Sequence, residues 1–197
     1  FAVGVASRTI VIPIVNDTTV ESNETFTVVL SNPSSGAHIS GTNTAYVTIT
    51  ENDVGLAFSS ATYSVSEAGT NVVLTVVQTG NLSATVTVDY ATANGSATSG
   101  SDYVSTNGSL AFGANTNSLT ITIPITNDSS VETNETFTVA LSNISGATLL
   151  TPSTATVRIL EDDSVVSLST NAVAFAESVT NATLTVLRTG GTNFAVT

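Results

Sequence analysis

Lysine, cysteine, methionine and tryptophan are all missing from this chain of 197 residues. Without Cys there is no disulfide framework, no zinc–thiolate site and no thiol nucleophile. Arg8, Arg158 and Arg188 are the whole basic complement against fifteen acids, and the net charge is −12. That balance excludes nucleic acid, whose phosphates demand Lys and Arg, and it disfavours anionic membrane surfaces. No apolar run reaches the length of a membrane helix. His38 is the only histidine, so an imidazole-based metal site has no second ligand. A Ser-His-Asp arrangement would rest on that one residue. Paired carboxylates can hydrolyse glycosides, but the aromatics that line sugar clefts are few. The chain therefore reads as a non-enzyme. Ser, Thr, Asn, Gly and Ala dominate what is left, a composition that suits an exported, extracellular or cell-surface protein.

The scarce acids are placed regularly. Twelve of the fifteen form six pairs 110 or 111 residues apart: Asp17/Asp128, Glu21/Glu132, Glu24/Glu135, Glu51/Glu161, Asp53/Asp163 and Glu67/Glu177. Asp162 stands opposite Asn52, and only Asp89 and Asp102 lack a counterpart. The surroundings repeat as well. Ile14–Asn32 returns as Ile125–Asn143, and Leu74–Gly80 returns as Leu184–Gly190. Such self-similarity marks a tandem repeat. The phase gives the back part of one repeat at 1–54, a complete repeat at 55–164 and the opening strands of a third at 165–197. We therefore expect a parent chain extending both ways, or partner chains that complete the two halves.

Within a repeat the pattern is β throughout. Leu119, Ile121, Ile123 and Ile125 alternate with polar or small residues, as do Phe137, Val139 and Leu141, and Val157 and Ile159. Period-two alternation of β-branched residues predicts half-buried strands. Further strands are expected near 56–66, 72–79, 84–91 and 108–112, and no segment reads as a long helix. Seven or so strands in about 110 residues predict an all-β fold of tandem immunoglobulin-like antiparallel sandwiches. Pro13 and Pro124 recur within the same strand, which places that position at an edge or bulge. Phe1, Phe26, Phe112 and Phe137 are expected in the core, Arg188 at the surface and Asp89 facing solvent. Nine Asn-x-Ser/Thr sequons, among them Asn16, Asn81, Asn107, Asn134 and Asn181, carry glycans only if the source glycosylates that motif.

The acids gather where strands begin or end. Asp128, Glu132 and Glu135 lie between two predicted strands at a spacing that can wrap a loop around one ion. Glu161-Asp-Asp163 follows the last strand, Glu67 follows the first, and Asp102 precedes Tyr103 after a Gly/Ser-rich loop. Calcium takes six to eight oxygen ligands from such loops. Clustered carboxylates without a cation repel one another, and no Lys is available to neutralise them. The bland alternative is a solvated acidic rim.

Several motifs occur in a fixed order: Gly100-Ser-Asp-Tyr103; Gly108-Ser-Leu-Ala-Phe112; Asn127-Asp128; Glu132-x-Asn-Glu135-x-Phe137-x-Val-x-Leu141-Ser-Asn143; and Ala155-Thr-Val-x-Ile159-x-Glu-Asp-Asp163. Together they resemble the Calx-β domain family, modules of sodium–calcium exchangers and of large bacterial surface proteins. The resemblance implies a seven-stranded β-sandwich with calcium held by acids at one end. Carried across, the implied ligands are Glu67, Asp102, Asp128, Glu132, Glu135, Glu161, Asp162 and Asp163. In the partial first repeat they are Asp17, Glu21, Glu24, Glu51 and Asp53, and the third contributes Glu177. Asn52, Asn127 and Ser129 stand where an acid is found in calcium-binding relatives, which implies fewer or weaker ions.

Three roles fit this pattern. The first is a calcium-stiffened repeat of a stalk, adhesin or filament, with like repeats or subunits end to end. The second is a calcium-organised lectin-like or partner-binding module for cell-surface or matrix ligands. The third is a calcium sensor of a transporter, which end-to-end repeats disfavour. With no aromatic-rich recognition loop in sight, the structural role leads.

Overall fold

The computed structural model describes residues 1–191, so the last six residues of the third repeat lie outside the described part. The chain divides into two compact units, Phe1–Asp53 and the residues from Val54 onward.

In the first unit, β1 (Glu24–Val29) and β2 (Thr44–Ile49) pair antiparallel from Glu24 opposite Ile49 to Val29 opposite Thr44. Phe26 and Val28 are half-buried on one face of β1. Phe1, expected in the core, is 86% exposed. The alternating segment around Pro13 forms no strand. Both departures have one cause. Residues 1–53 contain no strand able to pair with that segment and no second sheet to cover β1 and β2.

The second unit holds the complete repeat. β3 (Val54–Phe58), β5 (Asn71–Gly80), β8 (Ser118–Pro124) and the short β10 (Thr148–Leu149) make one sheet in the order β10-β3-β5-β8. β4 (Thr62–Ser66), β6 (Val86–Asn94), β7 (Asn107–Phe112), β9 (Glu135–Ser145) and β11 (Thr154–Leu160) make the other, in the order β4-β11-β9-β6-β7. The predicted strand near 56–66 is thus two strands in two sheets. β3 pairs antiparallel with β5, whereas β4 pairs parallel with β11, and the chain crosses over at Ser59-Ser60-Ala61. The crossover is held by Phe58 N–H donating to the Pro152 carbonyl and Ser59 N–H to the Thr75 carbonyl, each at 2.8 Å. β8 lies at the edge of its sheet with Pro124 as its last residue, so no ladder is lost to the missing N–H.

The core lies between the two sheets, as period two requires. Val72, Leu74 and Val76 of β5 and Ile121 and Ile123 of β8 face Val86, Val88, Phe137, Val139, Ala155 and Val157 of the other sheet. Tyr103 joins them from a loop, its ring stacked on Phe137 with centroids 4.0 Å apart and planes 8° off parallel. The pairing of Asn71 with Pro124 marks one end of the sandwich and that of Val54 with Gly80 the other. The loops after β4, after β6, after β8 and after β11 all emerge at the Asn71 end. Beyond β11, β12 (Ser164–Leu168) and β13 (Val186–Gly190) form a two-stranded antiparallel sheet. Arg188, expected at the surface, is half-buried there and donates to the Gly191 carbonyl. Asp89 accepts 3.0 Å from the Asn143 amide.

Candidate metal centre

Four loops converge at the Asn71 end, and each carries acids. Glu67, Asp128 and Asp163 each present a carboxylate oxygen within 4.8 Å of those of the other two. Asp102, Glu132 and Glu135 do the same beside them. Six of the eight acids singled out in the complete repeat therefore fall into two triads. The other two do different work. Glu161 is 5% exposed, and its carboxylate accepts from the backbone N–H of Glu132 at 2.6 Å and of Asp163 at 2.5 Å. It is a brace tying the β8–β9 loop to the end of β11. Asp162 accepts from Ala68 N–H at 3.2 Å and so fixes the loop after β4.

Each acid reaches its place through local backbone chemistry. Asp128 closes an Asx-type turn by accepting from Ser130 N–H at 2.6 Å, and this holds its carboxyl below the usual range. Its own N–H donates to Glu67 Oε1 at 3.2 Å. Asp102 accepts from Thr98 N–H at 2.6 Å across the Gly/Ser-rich loop. Asn134, which composition alone marks as a sequon, is a structural residue: its Oδ1 accepts from Glu161 N–H at 2.9 Å. The repetition of Asn23 at Asn134 is the sequence signal for it.

The electrostatics are those of a site built for positive charge. Glu67 is 6% exposed. Burial first, and then the charges of Glu161, Asp128 and Asp163, push its carboxyl up to about 7, against the lowering pull of the Asp128 N–H. Glu135 is likewise pushed up to about 7, by burial and then by Asp102. Glu132 and Asp163 are raised in the same direction, burial leading in both. Asp163 Oδ2 is buried and, among the described residues, meets no hydrogen-bond donor. Buried carboxylate oxygens need donors or cations. All these candidate ligand atoms are hard oxygens on loops or at a strand end, the donor set that calcium takes and that soft metals do not.

Residues 1–53 reproduce the bracing without the triads. The Glu51 carboxylate accepts from Asp53 N–H at 2.5 Å and from Glu21 N–H, and Asn23 Oδ1 accepts from Glu51 N–H at 2.8 Å. Asp17 accepts from Thr19 N–H at 2.7 Å. Asp17, Glu21, Glu24, Glu51 and Asp53 line one open cavity. Among the described residues they form no triad of the kind seen in the complete repeat, and Glu177 of the third repeat is exposed and joins none. The counterparts of Glu67 and Asp102 are missing from this unit. Glu21 is raised, chiefly by Glu24 and then Asp17, whereas Glu51 is lowered by the N–H groups of Asp53 and Glu21.

The family model of the Calx-beta domain matches residues 1–53 and again 51–163. The chain belongs to the Calx-beta family. Solved Calx-beta structures agree with the fold. The apo-form Calx CBD1 domain is 33% identical, covers 57% of this chain and all of that one, and gives a TM-score of 0.56. The calcium binding domain CBD12 of CALX1.1 is 32% identical, covering 69% of this chain and 58% of that one, with a TM-score of 0.55. Among curated proteins, the adhesion G-protein coupled receptor V1 of Danio rerio is 29% identical over 194 residues, 93% of this chain. The chain spans 3% of that receptor's length.

The importance of Asn134 in this Calx-beta domain is testable. Asn134→Ala leaves the Glu161 N–H without its acceptor and should cost about 1 kcal/mol in urea-induced unfolding. A value indistinguishable from zero would mean that water replaces the amide.

Proposed function

We propose that the chain is a calcium-binding structural repeat of an extended extracellular surface protein, such as a stalk, adhesin or filament. In this reading calcium stiffens the loop end and the junction between repeats, and the chain is not an enzyme. The observation that carries it is the convergence of Glu67, buried and raised, and Asp163, half-buried and raised, with the exposed Asp128 at a common point. A cation there would be held by those three carboxylates, and a second by Asp102, Glu132 and Glu135. The relative named as a calcium binding domain supports the ion. The adhesion receptor supports an extracellular setting.

The junction supports the stiffening. The Asp163 carbonyl accepts from Gly191 N–H at 2.7 Å. Gly190, at φ 101°, packs so closely on that carbonyl and on Val131 that a side chain would collide with both. Asp163 therefore belongs to a carboxylate triad and to the contact with the following repeat. The expected partners are neighbouring repeats or like subunits end to end. A calcium-dependent lectin-like or partner-binding role is the second reading, favoured by the adhesion receptor. A strong hit on a glycan array in calcium would move the assignment to it.

Calcium titration followed by thermal melting tests the ion. A ligand at a hundred times its Kd that binds only the folded state stabilises by about 2.7 kcal/mol. Against chelator, millimolar calcium should therefore raise the Tm of the second unit by about 10 °C. No shift would remove calcium from the assignment. Small-angle scattering with calcium and with chelator tests the junction, and unchanged flexibility would overturn the stiffening.

A further inference from the structure

The two triads are anchored differently. Glu67, Asp128 and Asp163 sit at strand ends or one turn beyond them. Asp102 arrives on the long polar loop between β6 and β7, and polar loops of this kind are ordinarily mobile. Here the loop is stitched down at several points. Asn94, the last residue of β6, accepts through Oδ1 from both arms of the loop: from Ser99 N–H at 3.0 Å and from the Tyr103 hydroxyl at 2.6 Å. Ala97 is fully buried, and its N–H donates to the Thr136 carbonyl at 2.9 Å. Thr136 N–H returns a bond to Ser96 Oγ at 2.8 Å. Gly95 lies so close to the Thr136 carbonyl that a Cβ would collide with it.

Tyr103 is the centre of this arrangement. It is covalently next to Asp102, is 1% exposed, and stacks on Phe137. Phe137 lies two residues beyond Glu135 on the same strand, so Glu135 and Phe137 share a face of β9. The stacked rings are thus a rigid spacer with a triad carboxylate attached near each end. The hydroxyl bond to Asn94 fixes how the Tyr103 ring turns in that stack.

We propose that Tyr103 and Asn94 are positioning residues that set the distance of Asp102 from Glu132 and Glu135, so that this triad is pre-formed before an ion arrives. The proposal rests on the calcium reading above. Residues that orient ligands without touching the ion typically change metal affinity by about 10- to 100-fold when removed.

The test is a double-mutant cycle in the full 197-residue chain, read by calcium calorimetry and by melting in chelator. Tyr103→Phe keeps the stack and removes the bond to Asn94; Asn94→Ala removes that bond from the other side, together with the acceptor of Ser99 N–H. Either should weaken calcium binding about tenfold. In an Asp102→Asn background neither should weaken it further, because the carboxylate being positioned is gone. In a Glu67→Gln background, which disables the other triad, the tenfold loss should persist. The drop in chelator Tm caused by Tyr103→Phe should be equal with and without Asp102→Asn, which separates positioning from general loosening. Unchanged calcium affinity in both single variants, or an equal loss in the Asp102→Asn background, overturns the positioning role. A wild-type chain that binds no calcium overturns the calcium reading and this proposal with it.

Discussion

Glu161→Ala should be among the most damaging single substitutions at the acidic end, costing about 3 kcal/mol and lowering the Tm of the complete repeat by 10 °C or more in chelator. The Glu161 carboxylate ties the loop after β8 to the end of β11. It is 5% exposed and accepts from two backbone N–H groups, those of Glu132 and Asp163. Bonds to a charged acceptor are roughly twice as strong as neutral ones. A buried donor left without a partner costs about 1–3 kcal/mol. Alanine orphans two part-buried donors, each toward the lower end of that cost, and leaves a void where the loop after β8 meets the end of β11. Each orphaned N–H belongs to a different triad, through Glu132 and through Asp163. Calcium affinity should therefore fall at both, and by more than any single ligand substitution produces. Glu161→Gln keeps the size and one acceptor oxygen, so it should lie between wild type and alanine. Differential scanning calorimetry of the three chains decides the matter, and equal stability of Glu161→Ala and wild type would reduce Glu161 to an ordinary surface acid.

That role was only partly legible beforehand. The register of the acids is plain in the sequence, because twelve of the fifteen recur at a spacing of 110 or 111 residues. So were the strands of the complete repeat, since alternation such as that of Val72, Leu74 and Val76 survives any tertiary detail. What one-dimensional spacing cannot convey is which oxygens point at a common centre. Glu161 and Asp163 are two residues apart and look interchangeable, yet one is turned inward to backbone donors while the other keeps a buried oxygen that meets no donor among the described residues. Asn134 reads only as a sequon because its partner lies 27 residues away. The crossover at Ser59-Ser60-Ala61 is invisible in the sequence for a similar reason. Apolar alternation runs through it, and only hydrogen bonds to Pro152 and Thr75 reveal the change of sheet. Phe1 stays exposed because burial needs a second sheet, and residues 1–53 carry only β1 and β2.

Glu67→Gln should reverse sign between calcium-free and calcium-loaded protein. In the folded chain the Glu67 carboxyl is pushed up to about 7 and Glu135 likewise, while an unfolded Glu titrates near 4.5. Between those values the folded state binds more protons than the unfolded state. Stability must then fall as pH rises from about 4.5 to about 7. Glu132 and Asp163, also raised, act in the same sense. Asp128 and Glu51, both lowered, act oppositely, but only below the ordinary carboxylate range and so outside this window. In chelator the wild-type chain should consequently melt several degrees higher at pH 5 than at pH 7.5. Glutamine cannot ionise, so Glu67→Gln should flatten that slope and raise the chelator Tm at pH 7.5. With calcium the order inverts. The ion is held only by deprotonated carboxylates, and the variant has lost a buried one, so wild type should gain the larger increment and end the more stable. A melting temperature in chelator that is level or rising from pH 5 to pH 7.5 would sink the account of Glu67 as a charge held in readiness for a cation. A variant stabilised by calcium as strongly as wild type would sink its role as a ligand.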